Sequence, residues 1–441
     1  MKHAVVFGSG HVARPAIRTL LDAGLRVTVA TNMPDAARAM VDGHPEGRVL
    51  EVDATDRAAV RRAVAEGDGA ISLLPVFLHG RIAEACLVER KHFVSTSYTS
   101  EEIRALDGLA KRRGLVFLNE LGADPGIDHM QATRAVHHIQ ADGGRVTALR
   151  SVCGGLPAPD SADNPFRYKL SWSPRGVVLA GGRPARYLDG GELKNVERYH
   201  IFDSPARVEI PEVGDFESLP NGDSLRYLDA YSLGDPQTLF RGTLRWAGWS
   251  ETWALLCSLG FVDDASNARL VGPSYAAEMR AATGAREGEA TDEALARAAG
   301  VTPWHPIVKR IEWLGLLTDE MLPANAQTRM DLLVGRMEAT MPYAAGQRDM
   351  LALVHEIDFE DAAGRPHHYR ARFVEYGEPN GDTAMARCVG IPAACGLRRI
   401  LDGTISKPGV RIPVSPDIFG PVLADIEALG LTEIHETVPA E

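Results

Sequence analysis

VVFGSGHVARP, residues 5–15, places two glycines and an alanine between a short apolar run and a segment of helical periodicity. In a turn from a strand into a helix, a first glycine permits a tight bend, and a second lets a pyrophosphate approach the amides at the helix N-terminus. Gly8 and Gly10 stand at those positions, and Ala13 replaces a third glycine that allows close helix packing. The stretch predicts a dinucleotide-binding turn, with an ordinary strand-to-helix connection as the alternative.

The chain that follows, up to about residue 120, alternates short apolar runs with stretches of helical period. This alternation is typical of a parallel sheet covered by helices, and it predicts an α/β fold with a Rossmann-type, doubly wound sheet. Gly24 would end the first helix in the left-handed conformation. Right-handed crossovers would bring the carboxyl ends of the strands to one edge, where ligands bind. The predicted strands are residues 4–8, 26–30, 48–53, 69–75, 92–97 and 114–120.

Beyond about residue 127 the alternation of strands and helices weakens. A chain of 441 residues with 45% hydrophobic content can bury more than one core, so further domains are expected. Strand-like segments such as 147–159 and 208–213 favour an α+β substrate domain with an antiparallel sheet, and a mostly helical pattern follows. A long apolar helix within 383–403 would pack back on the first domain. The predicted parts are a Rossmann domain of 1–126 plus about 385–441, an α+β domain of about 127–250 plus 346–384, and a helical subdomain of about 251–345.

Composition argues against several classes of partner. The net charge of −12 and the pI near 5.7 argue against nucleic-acid binding, which needs a basic surface. No apolar run approaches the roughly 20 residues that cross a bilayer, and the N-terminus enters a strand too early for a signal peptide. The cysteines are scattered, and the adjacent histidines at 137–138 and 367–368 lack the spacing of a zinc helix. We therefore expect a cytoplasmic protein without nucleic-acid, membrane or metal partners.

The end of the second predicted strand bears on which nicotinamide dinucleotide binds. A carboxylate there would hold the ribose hydroxyls, and an arginine would accept a 2′-phosphate. The sequence instead has Thr31 and Asn32, and Arg38 lies further into the next helix. An amide can hydrogen-bond ribose hydroxyls but cannot neutralise a phosphate dianion. NAD is therefore favoured over NADP, with the alternative that Asn32 only caps the following helix.

Five long segments occur together and in a fixed order: STSY (95–98), NELGADPGIDHM (119–130), CGGLPAPDSADNP (153–165), YKLSWSPRGV (168–177) and FRGTLRW (240–246). On these motifs the chain resembles the saccharopine dehydrogenase (glutamate-forming) family, also called saccharopine reductase. The resemblance implies a Rossmann domain completed by C-terminal chain, a mixed α+β substrate and dimerisation domain, a helical insertion and a homodimer. It implies oxidation of saccharopine with NAD(P)+ to 2-aminoadipate 6-semialdehyde and glutamate, or the reverse in lysine metabolism.

Oxidation of a secondary amine requires several proton transfers besides the hydride chemistry of the nicotinamide. Asp124 follows the sixth strand and could take the amine proton or orient water; the alternative is an Asx turn or a cap for a helix starting near Ile127, a role we assign to Asp128. Tyr98, at the end of the fifth strand, is a second catalytic candidate, with packing as its alternative. Cys153 precedes two glycines that could admit a ligand, and is a candidate proton donor or water-orienting residue, with a buried structural thiol as the alternative.

A substrate with several carboxylates calls for arginines on an acidic protein. Arg245, beside Thr243, is the best candidate, and Arg175 and Arg226 are weaker ones. Gly222 stands where the family has an arginine that holds a substrate carboxylate, so either Arg226 reaches that space or the substrate lacks the carboxylate.

The remaining candidates come from the turn, the strand ends and the resemblance; Trp172 could cover cofactor or substrate, or be a core tryptophan. Candidate cofactor contacts are Gly8, Ser9, Gly10, His11, Val12, Thr31, Asn32, Asp53, Leu74, Pro75, Ser97, Leu121 and Trp172. Candidate substrate contacts are Ser97, Tyr98, Asp124, Arg226, Thr243 and Arg245.

Two alternatives to a saccharopine-specific enzyme stay open. Gly222 favours an imine reductase or opine-type dehydrogenase acting on another amino-acid or polyamine conjugate. A catalytically silent dinucleotide-binding regulator is the other alternative, and the presence of Tyr98, Asp124, Cys153 and Arg245 argues against it.

Overall fold

The structure, a computed structural model, describes residues 1–263 and 270–439. The predicted helical subdomain includes residues 264–269, and the predicted Rossmann domain includes 440–441; both stretches lie outside the described residues. The chain forms two compact units, whereas the three-part division stays a prediction. Unit 1 consists of Met1–Val146, Ala230–Leu233 and Phe359–Glu441, and unit 2 consists of Thr147–Asp229 and Gly234–Asp358.

Strands and helices alternate regularly only in the N-terminal part of the chain. The strands are β1 His3–Phe7, β2 Arg26–Thr31, β3 Gly47–Glu51, β4 Gly69–Ser72, β5 His92–Ser95, β6 Val116–Leu118, β7 Arg145–Pro157, β8 Ala185–Asp189, β9 Glu192–Val196, β10 Ala206–Ile210, β11 Gly214–Pro220, β12 Thr238–Trp246, β13 Asp349–Glu360, β14 Pro366–Tyr376, β15 Gly409–Arg411 and β16 Ile434–Pro439. The α-helices are α1 Ala13–Asp22, α2 Pro34–Val41, α3 Arg57–Glu66, α4 His79–Glu89, α5 Glu101–Arg104, α6 Asp107–Arg113, α7 Ile127–Ala141, α8 Pro174–Gly181, α9 Trp249–Ser258, α10 Tyr275–Thr283, α11 Thr291–Ala299, α12 Pro306–Trp313, α13 Arg329–Thr340, α14 Ala384–Leu401 and α15 Pro416–Ala428.

Unit 1 contains a parallel sheet with the strand order β15-β6-β5-β4-β1-β2-β3. All six predicted strands are present, and the predicted Rossmann-type fold is confirmed. The side chains of Val5 and Val6 point to opposite faces of the sheet and both are fully buried, as a strand covered by helices on both sides requires. The sequence did not predict the seventh strand, β15, which has three residues. The order reverses beside β1, the position at which such sheets bind ligands.

Helices α1 and α14 pack closely against each other within unit 1. Gly24 adopts φ +76° after α1 and donates its amide to the Leu21 carbonyl, which confirms the predicted helix end. The predicted long apolar helix is α14, and it contacts α1 within unit 1. A Cβ on Gly390 would lie 2.7 Å from the Val12 carbonyl oxygen and 2.9 Å from the Ala16 nitrogen, so glycine permits this approach.

The C-terminal chain of unit 1 is attached to α7 by charge pairs. The Arg134 guanidinium donates to Glu427 of α15 and to Glu433, both at 2.6 Å. Strand β16 then pairs antiparallel with β14. No helix among the described residues combines the length and apolarity needed to cross a membrane.

Unit 2 is built on a second sheet, which is mixed. Its strands lie in the order β10-β11-β12-β7-β13, with β8 paired to β12 and β9 to β8. The predicted antiparallel sheet is confirmed in part: β10, β11 and β12 pair antiparallel, whereas β7 and β12 are parallel. The long connection of residues 158–237 allows the crossover between β7 and β12. The predicted strand 208–213 ends earlier, at Ile210, because Pro211 follows and cannot donate to a ladder.

Helices α9 to α13 confirm the helical pattern of the region around residues 249–340, although α10 was not individually predicted. Helix α13 begins at Arg329 because Thr328 and Asp331 form a reciprocal capping box. Trp249 and Trp253 of α9 stack with their ring centroids 4.7 Å apart in the core of this unit.

Candidate active site

The glycine turn has the shape that a dinucleotide requires. Gly8 has φ +106°, and a Cβ on it would lie 3.1 Å from the Leu73 carbonyl oxygen, so the tight bend depends on glycine. Around Gly10, by contrast, no heavy atom beyond the chain neighbours within the described residues lies within 4 Å of a Cβ position. No side chain of the described residues caps α1, whose N-cap residue is Val12. Open space and uncapped amides together fit a pyrophosphate.

Two buried hydroxyls join the glycine turn to the end of β2. Ser9 Oγ lies 2.8 Å from Thr31 Oγ1, which also accepts the Met33 amide at 3.0 Å. Asn32 is exposed at this edge, and Met33 rather than Asn32 is the N-cap residue that precedes α2. The alternative that Asn32 caps this helix is therefore wrong. Arg38 is exposed and pairs with Asp35.

The other predicted cofactor contacts occupy varied environments. Leu74 is half-buried with its side chain beside Gly8, whereas Pro75, His11 and Asp53 are exposed. Asp53 accepts the amide and hydroxyl of Thr55, both at 2.7 Å, which makes it the start of an Asx turn.

Leu121 is also a predicted cofactor contact. It is fully buried, and its side chain contacts the α14 backbone at Gly396.

Tyr98 and Asp124 meet beyond the carboxyl ends of β5 and β6. The Tyr98 hydroxyl donates to Asp124 Oδ1 at 2.8 Å, across 26 residues of sequence. Helix α7 begins at Ile127, as predicted. The assignment of Asp128 as its cap is wrong, because Gly126 is the N-cap residue and Asp128 lies in the first turn, where it accepts the Gly126 amide at 2.6 Å.

Ser97 belongs to a second hydrogen-bonded group that the sequence did not reveal. His79 Nε2 lies 3.0 Å from Ser97 Oγ, and its Nδ1 lies 2.7 Å from Ser72 Oγ. Burial lowers the pKa of His79 to about 4, so the ring is neutral near pH 7 and donates through one nitrogen while accepting through the other. The ring thereby fixes the Ser97 hydroxyl at the ligand-binding edge.

Unit 2 contains a buried cation with few polar partners. Arg245 is 6% exposed, and its Nη1 donates to the Leu244 carbonyl at 2.8 Å. Within the described parts of the chain, its Nε has no hydrogen-bond partner and no carboxylate forms an ion pair with it. Its guanidinium lies beside the rings of Tyr168 and Trp249, at 5.3 and 5.4 Å from their centroids. Burial lowers the pKa of Arg245, and its electrostatic interactions include the Cys153 thiol. A buried guanidinium of this kind suits an anionic ligand.

Cys153 lies in β7 opposite Thr243 in the parallel pair with β12, and it is buried. The expectation that Gly154 leaves space for a ligand is wrong, because a Cβ there would lie 2.7 Å from the Leu244 carbonyl oxygen. The missing side chain serves the close approach of two strands.

The remaining unit 2 candidates are less enclosed. Trp172 is 37% exposed, and its ring fills the space beside Gly176. Arg175 pairs with Asp331 at 3.0 Å, and Arg226 is exposed. Gly222 has φ +63° and open space around a Cβ position.

Within the described residues, no group of three or more His, Cys, Asp or Glu side chains is arranged to hold a metal ion. The Rossmann-type sheet, the glycine turn and the polar pair at the carboxyl edge define the class of nicotinamide-dinucleotide-dependent oxidoreductases.

Comparison with known proteins narrows this class. Residues 4–118 match the family model described as the saccharopine dehydrogenase NADP binding domain, and residues 122–431 match that of the saccharopine dehydrogenase C-terminal domain. The chain belongs to the saccharopine dehydrogenase family, whose members are oxidoreductases acting on CH–NH donors. The alternative of a catalytically silent regulator is therefore not supported.

Individual relatives are similar to this chain over nearly their full lengths. The chain is 33% identical to saccharopine dehydrogenase (NADP(+), L-glutamate-forming) of Pyricularia oryzae, over 100% of this chain and 99% of the relative. It is 32% identical to the protein of the same name from Schizosaccharomyces pombe, over 100% of both chains. It is similar to the apo structure of saccharopine dehydrogenase (L-Glu forming) from Saccharomyces cerevisiae, with a TM-score of 0.90, 32% identity and coverage of 99% of this chain and 100% of that one.

Proposed function

We propose that this chain catalyses the NADP-dependent oxidation of saccharopine to 2-aminoadipate 6-semialdehyde and glutamate, or the reverse reaction. The observation that carries the proposal is the hydrogen bond between Tyr98 and Asp124 at the carboxyl edge of a dinucleotide-binding sheet. It joins two of the motifs on which the resemblance to the family rests. The names of the Pyricularia and Schizosaccharomyces relatives support the substrate and the product.

The reaction needs groups that move protons at a nitrogen atom. A bound nicotinamide accepts the hydride from the carbon next to that nitrogen. Asp124, whose carboxylate accepts the Tyr98 hydroxyl, is proposed to take the proton of the substrate amine and then to orient the water that attacks the imine. General acid–base catalysis of this kind contributes about 10²- to 10⁴-fold in rate. Ser9, Gly10 and Thr31 are proposed to hold the dinucleotide, because the space around Gly10 is open within the described residues and the paired hydroxyls of Ser9 and Thr31 join the turn to the end of β2.

Arg245 is proposed to bind a substrate carboxylate. Its buried guanidinium has an Nε atom without a hydrogen-bond partner among the described residues, and a carboxylate would supply both charge and acceptors. Cys153 and Thr243 stay predictions as catalytic and substrate-binding residues.

NADP is proposed rather than NAD. The expectation of NAD rested on Asn32, but the matching family model and the names of the relatives favour NADP. The geometry at β2 is compatible with this choice, because Asn32 is exposed and carries no charge that would repel a 2′-phosphate.

A related conjugate in place of saccharopine is the second candidate substrate, and Gly222 favours it. Its φ of +63° suits glycine, and the nearest alternative cation in sequence, Arg226, is exposed. A substrate with one carboxylate fewer would need no cation at this position.

The proposal is tested by following absorbance at 340 nm with saccharopine and either NADP+ or NAD+. An equimolar mixture of lysine and glutamate is the matched control, because it presents the same groups without the secondary amine. We expect NADPH and glutamate to form together, with NADP+ used about tenfold more efficiently than NAD+ or better, a difference of about 1.4 kcal/mol. Turnover only with another secondary-amine conjugate would establish the alternative substrate, and a preference for NAD+ would refute the cofactor assignment. The homodimer and the cytoplasmic location stay predictions, the first to be checked by light scattering.

A further inference from the structure

A buried carboxylate lies directly behind the Tyr98–Asp124 pair. Glu120 follows β6 and adopts φ +58°, a left-handed conformation that is uncommon for a residue with a side chain. This conformation turns the side chain inward, and Glu120 is 1% exposed. A charge in this position requires hydrogen-bonded partners, since burial of an isolated carboxylate is very costly.

Those partners belong to the loop that carries Tyr98. Glu120 Oε1 accepts the Thr99 amide at 3.0 Å and the Thr99 hydroxyl at 2.8 Å. On the other side of Tyr98, the Ser97 carbonyl accepts the backbone amide of Glu120 at 3.2 Å. The residues before and after Tyr98 are therefore both bonded to Glu120, which fixes the position of the Tyr98 backbone.

The second oxygen of this carboxylate reaches the helix that follows Asp124. Glu120 Oε2 lies 3.0 Å from Nε2 of His129, which is fully buried in α7, and His129 Nδ1 is bonded to the Tyr231 hydroxyl. Although burial alone would raise the pKa of Glu120, the hydrogen bonds from His129 and Thr99 hold it at about 2. An ionised carboxylate only accepts, so the Nε2 atom of His129 carries a proton.

We propose that Glu120 and His129 are positioning residues, which hold the loops of Tyr98 and Asp124 in the register that lets these two side chains hydrogen-bond. Glu120 contacts the Tyr98 loop on both sides, and His129 ties it to the helix that starts three residues beyond Asp124. This inference rests on the proposed function for its rate measurement, but its structural consequence can be measured without turnover.

The test is a double-mutant cycle on kcat with Glu120→Gln and Asp124→Asn. Glu120→Gln keeps the size of the side chain and removes its charge, and we expect kcat to fall about 10- to 100-fold, since small misplacements of reacting groups have effects of this size. In the Asp124→Asn background the same change should have less than a twofold effect. Glu101→Gln, whose side chain is exposed in the nearby helix α5, is the matched control and should leave kcat unchanged.

A second measurement uses amide hydrogen exchange of the unliganded protein. Glu120→Gln should speed exchange in both segments 96–100 and 119–126, and Thr99→Val, which loses one donor to Glu120, should do so more weakly. If Glu120→Gln does not fold, Thr99→Val replaces it in the double-mutant cycle on kcat. Multiplicative effects of Glu120→Gln and Asp124→Asn on kcat, or unchanged exchange in both segments, would overturn the proposal. Absence of turnover in the wild type would instead count against the proposed function, and the exchange result would still decide the positioning role.

Discussion

The variant Gly10→Ala should weaken cofactor binding while leaving the stability of the fold nearly unchanged. No heavy atom of the described protein beyond the chain neighbours lies within 4 Å of a Cβ at this position, and Gly10 is not among the residues with positive φ. The free energy of unfolding should therefore change by only about 0.5 kcal/mol. If a pyrophosphate lies against this turn, the added methyl group overpacks the complex and costs about 1–3 kcal/mol. The Kd for NADPH should then rise about 5- to 150-fold.

The assay combines a fluorescence titration with NADPH and chemical unfolding of the same variant. Gly8→Ala is the matched contrast, because its φ of +106° and the Leu73 carbonyl at 3.1 Å strain any side chain there. We expect Gly8→Ala to lower the free energy of unfolding by about 1–3 kcal/mol. An unchanged Kd for NADPH in Gly10→Ala would refute the assignment of the pyrophosphate to this turn.

Three further predictions concern pH, substrate binding and helix packing. Burial lowers the pKa of His79 from 6.5 to about 4, so the unfolded state binds more protons than the folded state between these pH values. The free energy of unfolding should therefore fall by roughly 3 kcal/mol as the pH drops through this window. Urea unfolding of His79→Gln should show a weaker dependence of this free energy on pH. Arg245→Lys should raise the KM for saccharopine about 10- to 150-fold through loss of a hydrogen bond to a charged group, with an unchanged Kd for NADPH; an unaltered KM would remove Arg245 from the substrate site. Gly390→Ala should lower the free energy of unfolding by about 1–3 kcal/mol because its Cβ would meet α1, whereas Gly420→Ala in α15, with open space around it, should not; equal effects in unfolding experiments would contradict this packing argument.

The sequence predicted those features that follow from local periodicity. The six N-terminal strands and the glycine turn each produce their own pattern, and a parallel sheet necessarily collects strand ends at one edge. That rule is why Tyr98 and Asp124, which follow neighbouring strands, could be expected at one site.

Contacts between distant segments could not be predicted in this way. Glu120 bonds to His129, which in turn bonds to Tyr231 about a hundred residues away, and no spacing rule connects them. His79 is similar, because its importance depends on two serines at the ends of different strands.

Two incorrect predictions have the same cause, namely contacts between segments that are distant in sequence. The parallel pairing of β7 with β12 depends on a long connection whose path leaves no periodic signal. Gly154 suggested space for a ligand, but the space is taken by Leu244 from that same distant strand. Glu120 was nevertheless within reach of sequence analysis, since an acidic residue between a buried strand and the Asp124 motif is an unusual choice unless it is paired.

The most direct test of the central claim is kcat for Asp124→Asn with saccharopine and NADP+, measured at 340 nm together with the Kd for NADPH. The substitution keeps the size of the side chain and an acceptor for the Tyr98 hydroxyl, but it removes the group proposed to take the amine proton. We predict that kcat falls about 10²- to 10⁴-fold while the Kd for NADPH changes less than twofold. Turnover equal to that of the wild type would contradict the account.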